Sequence, residues 1–327
     1  MDIVFISAPL YRTKKDQDQI FPFSYSLNYG LLSLATHLVS NGYSAKIFDP
    51  GVWQDDKTIL ETIRWIEVHK PKYIAISCIS GFSYPAMKQI VQSIRIKFPL
   101  TPIIAGGKDH IALMAKRALE ECPEIDLIVL GEGESTLLEI MRNGLPALAS
   151  DYLYGIRNIV SRNVEADKTE QHIEEYKNNH YDKLSRFDLT LYENFKSRPP
   201  SIEVGRGCPF GCSFCSNDRK KILKKCPDEI CSEIENLSEL YPAEELMLYF
   251  QTPMFLMSKS ELARLGDLRA LMKTSFSWRT QTRVDYLSDD KISLMYQAGA
   301  RVIDLGLESG SAKPIHLKNI YQMQVGF

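Results

Sequence analysis

The chain has 327 residues, 44% of them hydrophobic and 24% charged, the balance of a globular protein rather than a disordered one. Its 39 basic and 41 acidic residues leave a formal charge of −2, so composition supplies no bulk attraction to nucleic acid or to an anionic membrane. No stretch approaches the roughly 18 apolar residues of a membrane span and no cleavable leader is visible, so a cytoplasmic location is expected.

Domains commonly run to about 100–200 residues, which predicts two here. Residues 1–145 alternate strand and helix patterns. An apolar run at 2–9 ends in Pro9. Leu31, Leu34, Ala35, Leu38 and Val39 recur at helical spacing and are stopped by Gly42. A short strand at 45–48 precedes a helix face of Ile59, Ile63 and Ile66. The apolar strand 73–79 ends in Ser80-Gly81, followed by a helix through Met87, Ile90, Val91 and Ile94. Residues 102–105 form a strand that runs into Gly106-Gly107. One helix is expected through Ile111, Ala115, Ala118 and Cys122. A fifth strand, 125–130, ends in Gly131-Glu132-Gly133-Glu134 before a last helix through Leu137 to Met141.

Five near-continuous apolar strands alternating with helices predict a doubly wound parallel sheet of flavodoxin-like order. Ligands on such sheets sit beyond the carboxyl ends of the strands, here Pro9, Ser80-Gly81, Gly106-Gly107 and 131–134. Two uses of the fold are excluded by residue type. A phosphoacceptor receiver needs aspartate after the third strand, where Ser80 stands. A dinucleotide site needs G-x-G-x-x-G after the first strand, where the chain reads SAPLYR.

Residues 146–200 are polar and charged and read as an exposed linker with some helix. From 201 a second alternation begins, with strands at 201–204, 246–250, 277–282 and 302–307. The intervening helix stripes are Ile230/Ile234/Leu237/Leu240, Leu262/Leu265/Leu268/Leu271 and Ile292/Leu294/Met295/Ala298. This pattern predicts an incomplete βα barrel over 201–327.

Three of the seven cysteines, Cys208, Cys212 and Cys215, fall within eight residues as C-x₃-C-x₂-C. Cysteine thiolates are the usual ligands of iron–sulfur clusters, and three donors leave one iron open to a substrate. A structural zinc site completed by Cys226, Cys231 or a histidine is the other metal reading. Cys78 and Cys122 read as packing cysteines, and Cys226 and Cys231 as core or surface cysteines of the helix that follows.

The cysteine spacing, with Phe214 directly before Cys215, resembles the radical S-adenosylmethionine superfamily. Residues 279–285 (RTQTRVD) and 306–311 (GLESGS) resemble its third- and fourth-strand segments. The resemblance implies a [4Fe–4S] cluster on Cys208, Cys212 and Cys215 whose free iron chelates S-adenosylmethionine, giving a 5′-deoxyadenosyl radical. It places Phe214 by the adenine, Glu308 and Ser309 at the ribose and methionine parts, and Arg283 towards the carboxylate. A doubly wound domain ahead of such a barrel, with GG and GEGE at its strand ends, resembles the cobalamin-binding class. By that resemblance Ser80, Gly81, Gly106, Gly107, Gly131, Glu132 and Gly133 contact the corrinoid, and the chemistry is methyl transfer or a related carbon-skeleton reaction on a small molecule. A reductant such as flavodoxin or ferredoxin supplies the electron.

Three departures from the pattern stand out. No D-x-H-x-x-G offers a lower cobalt ligand, and His110 reads as a helix start. Gln251 stands where relatives carry acidic residues. The strand pattern ends after four of the family's six units, an apparent truncation that would leave an open edge for a partner chain completing the barrel. Besides an active enzyme, the sequence therefore leaves open a catalytically impaired remnant that binds a cluster or corrinoid, and a zinc-stabilised interaction protein. A tRNA-modifying enzyme is the weaker alternative, because no basic stripe or aromatic RNA motif accompanies the site.

Overall fold

The computed structural model describes residues 1–10, 27–107, 110–144, 159–161, 186–212, 215 and 222–306. These fall into two compact units. The first takes the described residues before 180 together with Phe187–Phe195, and the second takes Arg186 and the described residues from Lys196 onward.

The first unit contains β1 (Ile3–Ser7), α1 (Tyr29–Ser40), β2 (Ala45–Phe48), α2 (Asp56–His69), β3 (Tyr73–Ser77) and α3 (Tyr84–Lys97). It continues with β4 (Ile103–Gly106), α4 (His110–Leu113), α5 (Ala115–Glu121), β5 (Leu127–Val129), α6 (Glu134–Asn143) and β6 (Ile159–Val160). The sheet order is β2-β1-β3-β4-β5-β6. The first five strands pair in parallel and β6 joins antiparallel to β5. This is the flavodoxin-like order with one short strand added at an edge. Ile3, Val4, Phe5 and Ile6 are fully buried, as a strand covered on both faces requires. Asn28 caps α1 by accepting the Leu31 amide, so one of the helix's otherwise unpaired donors is satisfied.

Two local readings are corrected. The single helix expected through 111–122 is two, α4 and α5, separated by Met114 at φ −115°, ψ 22°. Ile111, Ala115, Ala118 and Cys122 remain buried, so the apolar stripe survives the break. The end of the polar connector is not exposed. Leu189, Leu191 and Tyr192 are buried, Tyr192 forms a β-bridge with Ile47, and the Glu193 amide donates to the Ile47 carbonyl at 2.8 Å. The Tyr192 hydroxyl bonds Asp49 and accepts the Asn28 amide at 3.2 Å. A polar composition concealed three large apolar side chains that cover the open side of edge strand β2.

The second unit contains β7 (Ser201–Glu203), β8 (Gly205–Arg206), β9 (Leu223–Lys224), α7 (Pro227–Leu240), β10 (Glu245–Gln251), α8 (Lys259–Leu271), β11 (Ser275–Thr282), α9 (Asp289–Gln297) and β12 (Ala300–Leu305). Strands β7, β10, β11 and β12 lie side by side in chain order, all parallel, which is the arrangement of a barrel arc. The antiparallel pair β8–β9 was not anticipated.

One face of the arc is packed by helices. Leu246, Leu248, Phe250, Phe276 and Trp278 are buried there with Ile230, Ile234, Leu262, Leu265 and Met295. Phe250 stacks on Trp278 at 4.7 Å, and the Trp278 indole donates to the Ala298 carbonyl at 2.7 Å. Glu261 closes a capping box with Ser258 at the start of α8. The helix stripes are narrower than expected, since Leu271 is 82% exposed and Ile292 44% exposed. Among the described residues no helix is long and apolar enough to cross a membrane.

Candidate functional site

The carboxyl ends of β3, β4 and β5 bring together the expected glycines and serine of the first unit. Gly106 closes β4, and its carbonyl accepts the Cys78 amide at 2.8 Å. Gly107 has φ +147°, and a Cβ there would lie 2.2 Å from the Cys78 carbonyl oxygen. Only glycine lets the chain leave β4 this close to the β3 loop. Gly131 takes φ +72° after β5, and Gly133 caps α6. The Ser80 hydroxyl is 3.3 Å from that of Ser83, in the turn that starts α3. Glu132 is half-buried in the loop after β5.

His110 opens α4, as its place after the glycine pair implied. Its imidazole lies against Gly81, where a Cβ would meet Nδ1 at 3.4 Å, and edge-on to Tyr84 at 5.1 Å. Beside it, Phe82 is 75% and Ile79 47% exposed. Close backbone, a hydroxyl and exposed apolar groups at one sheet end suit a large flat ligand with amide side arms. The donor set therefore fits a corrinoid.

The cysteine loop follows β7 and β8. Gly207, at φ +81°, turns the chain into it. Cys208 and Cys212 are half-buried and Cys215 is exposed. The Cys215 amide donates to the Cys212 carbonyl at 3.0 Å, curling the loop on itself. Among the described residues, no three His, Cys, Asp or Glu side chains converge as ligands of one metal ion. A cubane cluster makes a different demand, because each thiolate binds a different iron and the sulfurs stay apart. Three sulfur donors on a short curled loop fit that group.

Arg283, one residue beyond β11, is brought to this loop. Its Nη1 lies 4.0 Å from the Cys212 sulfur, and its guanidinium is 4.0 Å from the centre of the Phe210 ring. Nε and Nη2 donate to the Asp285 carboxylate at 2.9 and 2.5 Å. Asp285 accordingly raises the Arg283 pKa, and Arg283 lowers that of Asp285. The other residues expected around S-adenosylmethionine, Phe214, Glu308 and Ser309, lie outside the described residues.

Sequence reasoning missed the second polar feature of the arc. Arg279 grips Asp304 through two bonds of 2.6 and 2.9 Å, and Arg279 lies 6.0 Å from the Tyr249 ring centre. Alternation was the available signal. Tyr249 and Arg279 are register partners, and Gln281 pairs with Asp304, so these polar residues share the face opposite the helices. The Gln281 amide donates to the Thr252 carbonyl at 2.9 Å.

Fold and site together define an α/β protein with a ligand-binding doubly wound unit and a cysteine-loop barrel arc. Residues 24–141 match the family model of the B12 binding domain, and residues 202–323 match that of the Radical SAM superfamily. The chain thus carries a domain of the B12-binding type followed by one of the Radical SAM type. These domains imply cobalamin, a [4Fe–4S] cluster and S-adenosylmethionine as its cofactors.

The chain is 25% identical over 296 residues to an uncharacterised methyltransferase of Pyrococcus horikoshii, covering 87% of this chain and 61% of that protein. It is 26% identical over 306 residues to the anaerobic magnesium-protoporphyrin IX monomethyl ester cyclase of Rubrivivax gelatinosus, covering 88% and 52%. It is 23% identical over 332 residues to the cytidylyl-2-hydroxyethylphosphonate methyltransferase of Streptomyces wedmorensis, covering 86% and 61%. The chain spans about half to three-fifths of the length of these relatives. In structure it resembles the cobalamin-dependent S-adenosylmethionine radical enzyme OxsB, with a TM-score of 0.63 at 15% identity, covering 95% of this chain and 44% of that one.

Proposed function

We propose that this chain takes part in a cobalamin-dependent radical S-adenosylmethionine reaction, methyl transfer or a related carbon-skeleton change on a small molecule. The observation that carries the proposal is one chain holding both a curled three-cysteine loop after the first strand of a barrel arc and a glycine-lined sheet end of flavodoxin-like order. Cys208, Cys212 and Cys215 would hold the cluster. Arg283, Phe214, Glu308 and Ser309 would border S-adenosylmethionine. Ser80, Gly81, Gly106, Gly107, Gly131, Glu132 and Gly133 would cradle the corrinoid.

When bound, these cofactors supply a 5′-deoxyadenosyl radical and a transferable methyl group. The protein's own part is to bind and orient. The close approach of Gly107 to the Cys78 backbone fixes the strand ends of β3 and β4 on which the ligand would lie, and the loop cysteines present sulfur donors while leaving one coordination position open. A reductant such as flavodoxin or ferredoxin, a cytoplasmic setting and a domain division near 145 and 200 belong to the same proposal. Methyl transfer is favoured by similarity to two methyltransferases, and ring closure is the second reading, favoured by similarity to the cyclase.

Anaerobic reconstitution with iron and sulfide tests the proposal. Iron uptake with a broad visible band, 5′-deoxyadenosine formed on reduction with S-adenosylmethionine, and methyl transfer that depends on added cobalamin are expected. A protein that takes up zinc but no iron would overturn it.

A further inference from the structure

Arg283 and Asp285 stand on either side of Val284, yet their side chains meet in a two-bond pair. Asp285 is not loosely placed. It sits in a 3₁₀ turn, Val284–Tyr286, in which the Tyr286 amide donates to the Arg283 carbonyl at 3.2 Å and the Leu287 amide to the Val284 carbonyl at 2.9 Å. The Tyr286 hydroxyl then anchors the turn by donating to the Met257 carbonyl at 3.0 Å. A fixed carboxylate that takes Nε and Nη2 leaves the guanidinium little choice of direction. Its plane lies over Phe210, and Nη1 is aimed at the Cys212 sulfur. Phe210 and Cys212 both belong to the cysteine loop, so one side chain touches that loop at two points.

We infer that Asp285 is a positioning residue that holds Arg283 over Phe210 and against Cys212, and that this brace fixes the cysteine loop and makes its cluster easier to reduce. The inference rests on the assignment of a cluster to Cys208, Cys212 and Cys215. Reduction adds one electron to the cluster and increases its negative charge. A guanidinium held beside a ligand sulfur favours the reduced state, because net charge and sulfur contacts set cluster potentials. Asp285 therefore acts in a direction opposite to its own charge. By itself a nearby carboxylate disfavours reduction, but as a brace it keeps the closer positive charge in place.

This opposition gives the test a sign. The cluster midpoint potential is measured by anaerobic redox titration of the reconstituted full chain, followed by electron paramagnetic resonance of the reduced state. Asp285→Asn removes the negative charge and the brace together. A midpoint more negative than that of the unsubstituted protein, restored by Asp285→Glu, is the expected result. A midpoint unchanged or more positive overturns the inference, since that is what loss of the carboxylate charge alone produces. Should Asp285→Asn fail to take up iron, Tyr286→Phe decides, because it releases the turn that carries Asp285 from the Met257 carbonyl without altering charge. A more negative midpoint for Tyr286→Phe supports the brace, and an unchanged or more positive one overturns it. If the unsubstituted protein binds no iron, the cluster assignment itself fails, an outcome distinct from every variant result.

Discussion

The Ser33 hydroxyl donates to the buried carboxylate of Glu134 at 2.5 Å, joining α1 to the first residue of α6 across 101 positions of sequence. The same contact region is tight at Gly133, where a Cβ would approach the Leu34 side chain to 3.2 Å. The glycine-rich turn after β5 is therefore held from below by a buried polar bond and an apolar contact. Glu134→Ala should lower stability by about 1–3 kcal/mol, because it strands the buried Ser33 hydroxyl. Glu134→Gln keeps an acceptor for that hydroxyl and should cost less. Urea unfolding of the two variants checks the order, and equal costs would argue against the bond.

Glycine is required at Gly107 by its neighbours and at Gly42 by backbone angle alone. Gly42 has φ +88° with nothing within 4 Å of a built Cβ, so Gly42→Ala should cost only about 1–2 kcal/mol. Gly107→Ala drives a methyl group to 2.2 Å from the Cys78 carbonyl oxygen and must displace a strand end. Its cost should reach about 3 kcal/mol or more, with loss of bound cobalamin seen by visible absorbance. Intact cobalamin binding in a folded Gly107→Ala protein would remove the β3–β4 loop contact from the corrinoid site.

Replacing Cys212 by Ala should abolish the visible absorbance of the reconstituted cluster, as should Cys208→Ala and Cys215→Ala. Cys226→Ala should leave iron content unchanged, because Cys226 is the N-cap residue of α7 and stands outside the loop trio. Iron analysis of the four variants separates the loop trio from a site that recruits Cys226.

Burial pushes the Cys78 thiol up to about 12 and the Cys231 thiol to about 11, and it raises Cys122 as well. Only thiolate is nucleophilic. In cluster-free, folded protein at pH 8, alkylation should reach exposed Cys215 and Cys226, with Cys78, Cys122 and Cys231 at least about a hundredfold slower. Mass spectrometry after brief labelling checks this, and rapid modification of Cys78 would contradict the packing of β3 against β4.

Asp2 links the pH dependence of stability to the edge of the first sheet. The Ser44 amide, the Ser44 hydroxyl and Lys72 donate to its carboxylate at 2.9, 2.7 and 2.9 Å, and together hold its pKa well below the ordinary range. A depressed carboxyl pKa contributes stability that is full above the unfolded value of about 3.9 and is lost as pH falls through the folded value. Asp2→Asn should therefore cost about 1–2 kcal/mol at pH 7. The difference should shrink steadily below about pH 4. A difference that is the same at pH 7 and pH 3 would show that the charge of Asp2 contributes nothing.

Strand identity was legible because parallel strands covered on both faces are written as continuous apolar runs. The segments around Phe5, Ile76 and Ile104 leave no other reading, and the alternation with helix stripes gives the winding. The cysteine loop was legible for a different reason: its cysteines are neighbours in sequence, so spacing alone states that three sulfurs are close. The glycines at 106–107, 131 and 133 were legible as strand-end turns, since backbone freedom is a property of the residue itself.

What depends on distant parts of the chain was not legible. Tyr192 reads as one aromatic residue in a polar connector, and its place at Asp49 exists only because edge strand β2 offers an unpaired side. Arg279 and Asp304 are 25 positions apart, and only strand register puts them on one face of the arc. Residue types and local spacing determined the fold class, the sulfur donors and the turn glycines, because those are settled by each residue's own stereochemistry and its nearest neighbours. The tertiary structure decided which charges meet, which polar groups are buried and that Arg283 turns towards Cys212, because pairings between remote segments depend on how the strands are laid side by side.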